Sequence, residues 1–371
     1  MMRLSFVFLC CLITAAPTWA ATIYKSTLHN FRVVTVASGL DQPWALEFLP
    51  DGDLLVTERD GRLRRVREGK LSDPITGLPE IAASGQGGLL DVTLHPDFAS
   101  NRWVYLTYSA GGWRGMGTEL ARGRLEGGAL RDVQVLFKAA PKVSGGRHFG
   151  SRVRFLPDGT LLLTLGDRGE RPSAQSMESH SGSTVRLNDD GSVPADNPYR
   201  NKAGARPELF TIGNRNVQGL AIHPQTGLPW AHEHGPQGGD EVNVLRPGRN
   251  YGWPVITYGR NYVIGTPIGE GTSKPGMEQP VHYWDPSIAP SGMAFYTGDK
   301  FPKWRGNLFV GALKFQLLVR LALDGEKVVR EERLIQGEFW RVREVRAGPD
   351  GLLYLLTQQY EGRILRLEPA G

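Results

Sequence analysis

Short apolar runs alternate along the chain with turns that are rich in proline, aspartate and glycine. The clearest unit is Phe48-Leu-Pro-Asp-Gly-Asp-Leu-Leu-Val-Thr57, and close copies occupy Phe155 to Thr164 and Ala347 to Thr357. Weaker relatives of the same unit start at His95, His223 and Lys303. Runs of this length between turn signals predict β-strands joined by tight turns.

The six units predict an all-β, six-bladed propeller with four-stranded antiparallel blades, because recurrence along a whole chain is typical of propeller blades. A pair of β-sandwiches is the alternative, but it does not explain the recurrence. The strand at Arg32–Val36 is expected to join the last blade and close the ring, which leaves no open sheet edge. Second strands such as Gly61–Arg67 carry arginines on one face, which predicts a solvated strand face.

The first twenty residues have the order of a secretory signal peptide. Arg3 is followed by the apolar run Leu4–Ala16, and small residues precede a cut expected after Ala20. We therefore predict a signal peptide at 1–20, a single propeller domain at 21–371 and a periplasmic location. The apolar run is too short for a membrane span, and no later stretch predicts one. Both cysteines, Cys10 and Cys11, lie in this segment, so the mature chain is expected to contain no disulfide. A lipid-anchored cysteine is the alternative, although no small residue precedes Cys10.

Composition limits the classes of partner. The chain has 47 glycines and 25 prolines spread along its length, 40% hydrophobic residues and a net charge of +5. This mild positive charge favours anionic ligands weakly and does not predict a nucleic-acid partner. No phosphate-binding loop, dinucleotide-binding motif or serine-hydrolase elbow is present.

Polar clusters near the predicted turns carry the candidate chemistry. Loops on one face of a propeller converge over its centre, so Arg215, Lys314, Arg341 and Arg343 could meet in a pocket for a ligand with several carboxylates. Any one of them alone is more typical of a surface charge than of a binding site. His148 lies in a glycine-rich turn, and Asp167 follows the next strand, where a carboxylate could orient the imidazole. A structural role for His148 remains the alternative.

A further cluster runs from His232 to Glu241. His232 and His234 would point to the same side of a strand, so a zinc site is conceivable. Glycine and proline turns separate them from Asp240 and Glu241, and backbone carbonyls with carboxylates suit calcium better.

In these residues the chain resembles the soluble quinoprotein sugar dehydrogenases, six-bladed propellers that bind pyrroloquinoline quinone (PQQ), and particularly their periplasmic aldose sugar dehydrogenase branch. The resemblance extends from Gln42 to Arg363. The motifs that carry it are Gly85-Gln-Gly-Gly-Leu-Leu90, His148 with Gly166-Asp167, Arg215-Asn-Val-Gln-Gly219, Glu233-His-Gly-Pro236, Asp240-Glu-Val-Asn243, Asn250-Tyr-Gly-Trp-Pro254, Lys314 and Arg341-Val-Arg343.

The resemblance implies oxidation of the anomeric carbon of an aldose to a lactone, with hydride transfer to calcium-bound PQQ. His148 would be the general base, Asp167 would orient it, and Arg215 would polarise the cofactor carbonyl. The implied PQQ ligands are Gln86, Arg215, Asn216, Tyr262, Lys314, Arg341 and Arg343. The implied calcium ligands are the carbonyls of Gly235 and Pro236, with Glu241 and Tyr251 at a further calcium site. The implied partners are an aldose and an external electron acceptor, either a quinone or a redox protein.

Two departures from the family pattern bear on specificity. Ala294 stands where the glucose-oxidising branch is expected to place an aromatic residue over the cofactor, and the insertions linked to dimer contacts are short. We therefore expect a monomer with broad aldose specificity. The alternatives are a calcium-dependent lactonase-like hydrolase that uses Glu233, Asp240 and Glu241, and a non-catalytic carbohydrate-binding propeller.

Overall fold

The computed structural model describes residues 22–113, 115–338 and 341–371. The predicted signal peptide lies outside these residues. Six antiparallel sheets follow one another along the chain, each built from consecutive strands except at the junction of the two termini. The predicted six-bladed propeller is confirmed.

The blades succeed one another in chain order. The N-terminal strands are Ile23–Lys25 (β1) and Asn30–Leu40 (β2). Blade 1 contains Pro43–Phe48 (β3), Leu54–Glu58 (β4), Arg62–Arg67 (β5) and Lys70–Leu71 (β6). Blade 2 contains Leu89–Leu94 (β7), Trp103–Gly112 (β8), Gly115–Glu126 (β9) and Ala129–Lys138 (β10). Blade 3 contains Val153–Phe155 (β11), Leu161–Thr164 (β12), Ser183–Leu187 (β13) and Leu209–Ile212 (β14).

Blade 4 contains Val217–Ile222 (β15), Pro229–Glu233 (β16), Asp240–Val244 (β17) and His282–Trp284 (β18). Blade 5 contains Pro290–Phe295 (β19), Leu308–Ala312 (β20), Leu317–Asp324 (β21) and Lys327–Gln336 (β22). Blade 6 contains Val342–Ala347 (β23), Leu353–Thr357 (β24) and Gly362–Pro369 (β25). The helical segments are Phe98–Asn101 (α1) and the 3-10 turns Arg171–Gln175 and Pro302–Trp304. No helix within the described ranges has the length and apolar character needed to cross a membrane.

The N-terminal strand closes the ring, as predicted. β2 pairs with β25 from Phe31 opposite Pro369 to Leu40 opposite Gly362. β1 then pairs with β2, so the last blade has five strands where the repeat predicted four. The first strands of the blades contact one another in a closed circle, from β3 through β7, β11, β15 and β19 to β23 and back to β3. The six blades therefore surround one central axis.

The repeated threonine of the sequence units joins neighbouring blades. Thr57 donates a hydrogen bond from Oγ1 to the Leu90 carbonyl (2.6 Å), and Thr107 donates to the Ser151 carbonyl (2.7 Å). Thr164 makes the equivalent bond to the Val217 carbonyl at 3.3 Å. Each threonine ends or lies within the second strand of one blade and contacts the backbone at the first strand of the next. The repeat thus includes an inter-blade contact that satisfies buried backbone carbonyls.

A buried ionic layer fills the centre of the ring. Arg152 contacts the carboxylates of Glu344 and Asp91, and Arg154 lies 2.8 Å from Asp91. Burial alone would raise the pKa of Asp91, but Arg154, Arg152 and Arg346 hold it below its ordinary value. Because Arg152 Nη2 also donates to the Arg343 carbonyl (3.4 Å), this layer supports the segment that carries Arg343. Buried charges in this arrangement are costly to break individually.

Candidate active site

One face of the propeller contains a cavity of about 540 Å³. Its walls come from all six blades, at the starts of first strands and the ends of second strands. The lining residues are Gln42, Trp44, Arg59, Gln86, Leu90, Phe149, Gly150, Asn216, Gln218, His234, Ala289, Leu313, Arg341, Arg343, Gln358, Gln359 and Tyr360. A cavity of this size suits a small-molecule ligand or cofactor.

The cavity wall is cationic. Arg59, Arg341 and Arg343 line it, and no acidic side chain does so among the described residues. Arg59 donates to the Gly85 carbonyl (2.7 Å), and Arg343 donates to glutamine side chains. Burial and the neighbouring arginines lower the pKa of both Arg341 and Arg343. Uncompensated positive charge of this kind favours an anionic ligand with several acceptor groups.

His148 and Asp167 are in contact beside this cavity. His148 Nδ1 lies 2.6 Å from Asp167 Oδ1, and the turn that carries the histidine has a left-handed φ of 55°. The His148 backbone N–H donates to Gln86 Oε1 (2.8 Å), which fixes the turn against the preceding blade. Asp167 can only accept at neutral pH, so His148 carries its proton on Nδ1. The Nε2 lone pair is therefore available to accept a proton.

The surroundings keep His148 neutral and Asp167 charged. Burial lowers the pKa of His148 below its ordinary value of 6.5, and Arg215 acts in the same direction, against the effect of Asp167. Burial opposes ionisation of Asp167, but His148, the Gly169 N–H and Arg215 hold its pKa below the ordinary value. Asp167 also accepts from the indole Nε1 of Trp253 (2.8 Å). A neutral histidine oriented by a fixed carboxylate is suited to general-base chemistry.

Arg215 links this pair to the turn after β16. Its Nη1 donates to the carbonyls of His234 (2.9 Å) and Gly235 (2.8 Å). Its guanidinium lies 5.4 Å from the ring centroid of Trp253. Asn216 Oδ1 accepts from the Gly150 N–H (3.2 Å), which joins the same segment to the turn of His148. Asn216 lines the cationic cavity, whereas Arg215, the residue before it, lies outside that wall and lines a smaller cavity; the predicted ligand roles of both remain predictions.

Two acidic side chains, Glu233 and Glu241, line a separate, small cavity of about 10 Å³ together with Arg215. Burial raises the pKa of Glu233 to about 6, although Asn214 and Arg215 lower it. Desolvation and the neighbouring Glu233 raise the pKa of Glu241 to about 8. The Tyr251 hydroxyl donates to the Val244 carbonyl (2.6 Å) and accepts from the Arg246 N–H (2.9 Å), so it is engaged away from the two glutamates and the Tyr251 carbonyl is the simpler ligand. The space admits an ion or a water molecule and excludes a sugar.

Some residues predicted from the sequence lie outside the cavity wall. Lys314 is exposed, with its ammonium 4.8 Å from the centroid of Phe315, and follows the lining residue Leu313. Tyr262 is 57% exposed and does not line the cavity. Pro236 is buried next to Gly235. Their predicted ligand roles remain predictions.

Two interpretations of the sequence do not agree with the geometry. Ala294 packs in the apolar core near Tyr296 and Phe309, so its identity says nothing about what covers the cavity. His234 Nε2 donates to the Pro290 carbonyl (2.7 Å), and no third ligand stands beside His232 and His234 to complete a zinc site within the described ranges. The described residues contain no group of three or more histidine, cysteine or acidic side chains placed to hold a metal.

The sequence interpretation missed Arg59, Gln358 and the role of Trp253. Arg59 follows Thr57 by two residues, Asp167 follows Thr164 by three, and Gln358 directly follows Thr357. The positions just after the repeated threonine therefore face the cavity side in three blades. Aligning the repeats on that threonine would have found both Arg59 and Gln358.

Comparisons with known proteins agree with this geometry. The family model described as Glucose / Sorbosone dehydrogenase matches residues 40–366. The aldose sugar dehydrogenase of Escherichia coli (strain K12) is 44% identical over 375 residues, covering 100% of both chains. The quinoprotein glucose dehydrogenase B of Acinetobacter calcoaceticus is 27% identical over 416 residues, covering 90% of this chain and 86% of that protein.

Among solved structures, the PQQ-bound form of an aldose sugar dehydrogenase from Streptomyces coelicolor superimposes with a TM-score of 0.77. It is 31% identical, and the match covers 91% of this chain and 98% of that one. The chain therefore belongs to the glucose/sorbosone dehydrogenase family.

Proposed function

We propose that this protein is a quinoprotein sugar dehydrogenase that oxidises the anomeric carbon of aldoses to lactones. The observation that carries the proposal is the cationic cavity beside a neutral, carboxylate-oriented His148. Membership of the family and the PQQ-bound relative support PQQ as the ligand of that cavity.

The residues present fit PQQ. It is a flat heterocycle with three carboxylates, and the wall offers Arg59, Arg341 and Arg343 without any acidic neighbour in the described lining. Gln86 and Asn216 add amide groups on the side of His148. These five residues would hold the cofactor, and Lys314 and Arg215, which are next in the chain to the lining residues Leu313 and Asn216, would add positive charge. When bound, PQQ supplies a two-electron acceptor for the oxidation of the sugar.

The proton is handled by the chain itself. His148 Nε2 would accept the proton of the anomeric hydroxyl, because Nδ1–H is held by Asp167. The charge that develops on the imidazole is stabilised by Asp167, which Trp253 and the Gly169 N–H keep in place. Arg215 adds positive charge on the same side and would favour negative charge that develops on a nearby oxygen.

Calcium has two candidate positions, which fit to different degrees. Glu233 and Glu241 offer two carboxylates that repel each other, and a bound calcium ion would relieve this repulsion. Tyr251 could add its backbone carbonyl as a further oxygen ligand. At Gly235, the carbonyl already accepts from Arg215 (2.8 Å), so a calcium there would have to share or replace that bond. The first position therefore fits a calcium ion more simply than the second.

The hydrolase alternative has less support. Asp240 accepts from the Gly235 N–H with one oxygen and from Ser287, Ile288 and Ala289 with the other, so its carboxylate is fully used in holding loops. The cavity at Glu233 and Glu241 is too small for a lactone. A non-catalytic sugar-binding propeller would not need the His148–Asp167 pair.

The pH dependence follows from His148. Because the base must be neutral and its pKa lies below 6.5, turnover at saturating sugar should be retained at pH 6.5 and fall in more acidic solution. Asp167→Asn should lower the plateau, because the imidazole loses its orientation. The same variant should move the acidic limb to lower pH, because Asp167 raises the pKa of His148. A pH–rate profile of both proteins checks the two directions, and an acidic limb that moves to higher pH in the variant contradicts the assignment.

Reconstitution separates the candidate functions. Purified apoprotein is mixed with PQQ, Ca²⁺ and an aldose, and reduction of an artificial electron acceptor is followed. We expect turnover only when PQQ and sugar are both present, and a reduced rate with a calcium chelator. Lactone hydrolysis without PQQ would favour the hydrolase instead.

The sequence at 1–20 supports an exported, periplasmic enzyme that passes electrons to an external acceptor. We expect the enzyme to be a monomer. Mass spectrometry of the exported protein should find a chain that starts at Ala21, and a chain retaining Met1 would contradict export by cleavage.

A further inference from the structure

Arg343 is held in the cavity wall by two glutamines. Its Nε and Nη2 both donate to Gln358 Oε1, at 3.1 and 2.9 Å. Its Nη1 donates to Gln218 Oε1 at 3.0 Å. The side chain is buried, with 6% of the residue's surface exposed. A guanidinium has five N–H groups, so these bonds leave one N–H on each terminal nitrogen for a ligand.

The acceptors around Arg343 are neutral, as they are around Arg215, whereas several other buried arginines are paired with carboxylates. Arg320 pairs with Glu332 (2.6 Å), and Arg186 pairs with Asp158 (2.8 Å). Arg343 has no carboxylate within ion-pair distance in the described ranges, although Glu344 follows it directly and contacts Arg152 instead. Hydrogen bonds to neutral groups therefore fix Arg343 in position. Its positive charge is not neutralised by an ion pair with any carboxylate of the described residues.

Both glutamines are themselves held. Gln218 Nε2 donates to Asn216 Oδ1 and to the Gly150 carbonyl, each at 3.2 Å. This orients its oxygen toward Arg343 and links the arginine to the turn that follows His148. The Gln358 backbone N–H donates to the Arg341 carbonyl (2.8 Å), which fixes the second arginine of the wall.

We propose that Gln358 and Gln218 are positioning residues that present Arg343, with its full positive charge, to a carboxylate of the cofactor. The inference rests on the proposed function, since it takes PQQ as the ligand. Neutral acceptors are needed because a carboxylate at either position would pair with Arg343 and repel the incoming anion. The two remaining N–H groups match a single carboxylate of the ligand.

Gln358 gives the sharper test, because the side-chain hydrogen bonds that it makes within the described chain are both accepted by Oε1. Gln358→Glu keeps both bonds and adds a charge, whereas Gln358→Met removes both bonds and adds none. We expect PQQ affinity to fall on the order of 10-fold in Gln358→Met and on the order of 10²-fold in Gln358→Glu. The apoprotein of Gln358→Glu should melt at or above the wild-type temperature, because the new carboxylate pairs with Arg343.

The measurements are equilibrium titration with PQQ and thermal melting of the apoproteins. Gln225→Glu, a change of the same charge at an exposed turn outside the cavity lining, should bind PQQ like the wild type. The proposal is overturned if Gln358→Glu binds as tightly as the wild type, if Gln358→Met binds as weakly as Gln358→Glu, or if Gln225→Glu is equally impaired. Wild-type protein that does not bind PQQ would instead overturn the proposed function.

Discussion

Replacing His148 with alanine is expected to lower turnover by about 10²- to 10⁴-fold, the range typical of losing a general base. PQQ affinity should change little, because the arginines of the wall remain. The reason is geometric: His148 is held by Asp167 at 2.6 Å and offers an Nε2 that can accept a proton. Steady-state kinetics at saturating sugar, with enzyme fully loaded with PQQ, measures the loss.

His148→Asn serves as the control for backbone strain. His148 has φ of 55°, and asparagine adopts this left-handed conformation more readily than alanine does. If the alanine variant fails because the turn moves, asparagine should restore activity. We expect both variants to be slow, since neither side chain can take the proton. Recovery of turnover in His148→Asn, or full activity in His148→Ala, would remove His148 from the mechanism.

Arg343→Ala is expected to weaken PQQ binding on the order of 10²- to 10³-fold, as for truncating one partner of a buried charge pair. Arg343→Lys should recover only part of this loss, because a lysine keeps the charge but lacks the planar fork that Gln218 and Gln358 hold. At saturating PQQ, the turnover of loaded enzyme should fall much less than the affinity. PQQ titrations followed by kinetics at saturation separate the two quantities.

The matched control is Arg363→Ala, which removes an exposed arginine from β25 and changes the net charge equally. Its PQQ affinity should equal that of the wild type. A similar loss in both variants would mean that only the overall charge attracts the cofactor. Unchanged affinity in Arg343→Ala would mean that the cofactor binds elsewhere.

The propeller could be predicted from the sequence because its repeat has a physical cause in every blade. The turn at Pro50-Asp-Gly52 directs the chain back, and Thr57 joins one blade to the next. The closing strand was predictable because a ring without it would leave an open sheet edge. The fifth strand of the last blade, β1, could not be predicted, because it is only three residues long and no turn signal in the sequence separates it from a chain terminus.

The site was predictable only in part. His148 comes just before the first strand of blade 3 and Asp167 just after its second strand, so the repeat predicts that they lie close together. The structure brings them into contact. Arg59 and Gln358 come from the two ends of the chain, and their types suggest only solvated turns. The neutrality of the surroundings of Arg343 has no signal in the sequence, because Glu344 is adjacent in the chain and yet contacts Arg152. Partner choice among buried charges depends on three-dimensional packing.

We propose that the cationic cavity binds PQQ and that the bound cofactor makes the protein a sugar dehydrogenase. The most direct measurement titrates apoprotein with PQQ in the presence of Ca²⁺ and follows aldose-dependent reduction of an acceptor at each addition. We expect activity to rise in proportion to bound PQQ and to reach a plateau at one PQQ per chain. Activity without PQQ, or no activity in protein saturated with PQQ, would contradict it.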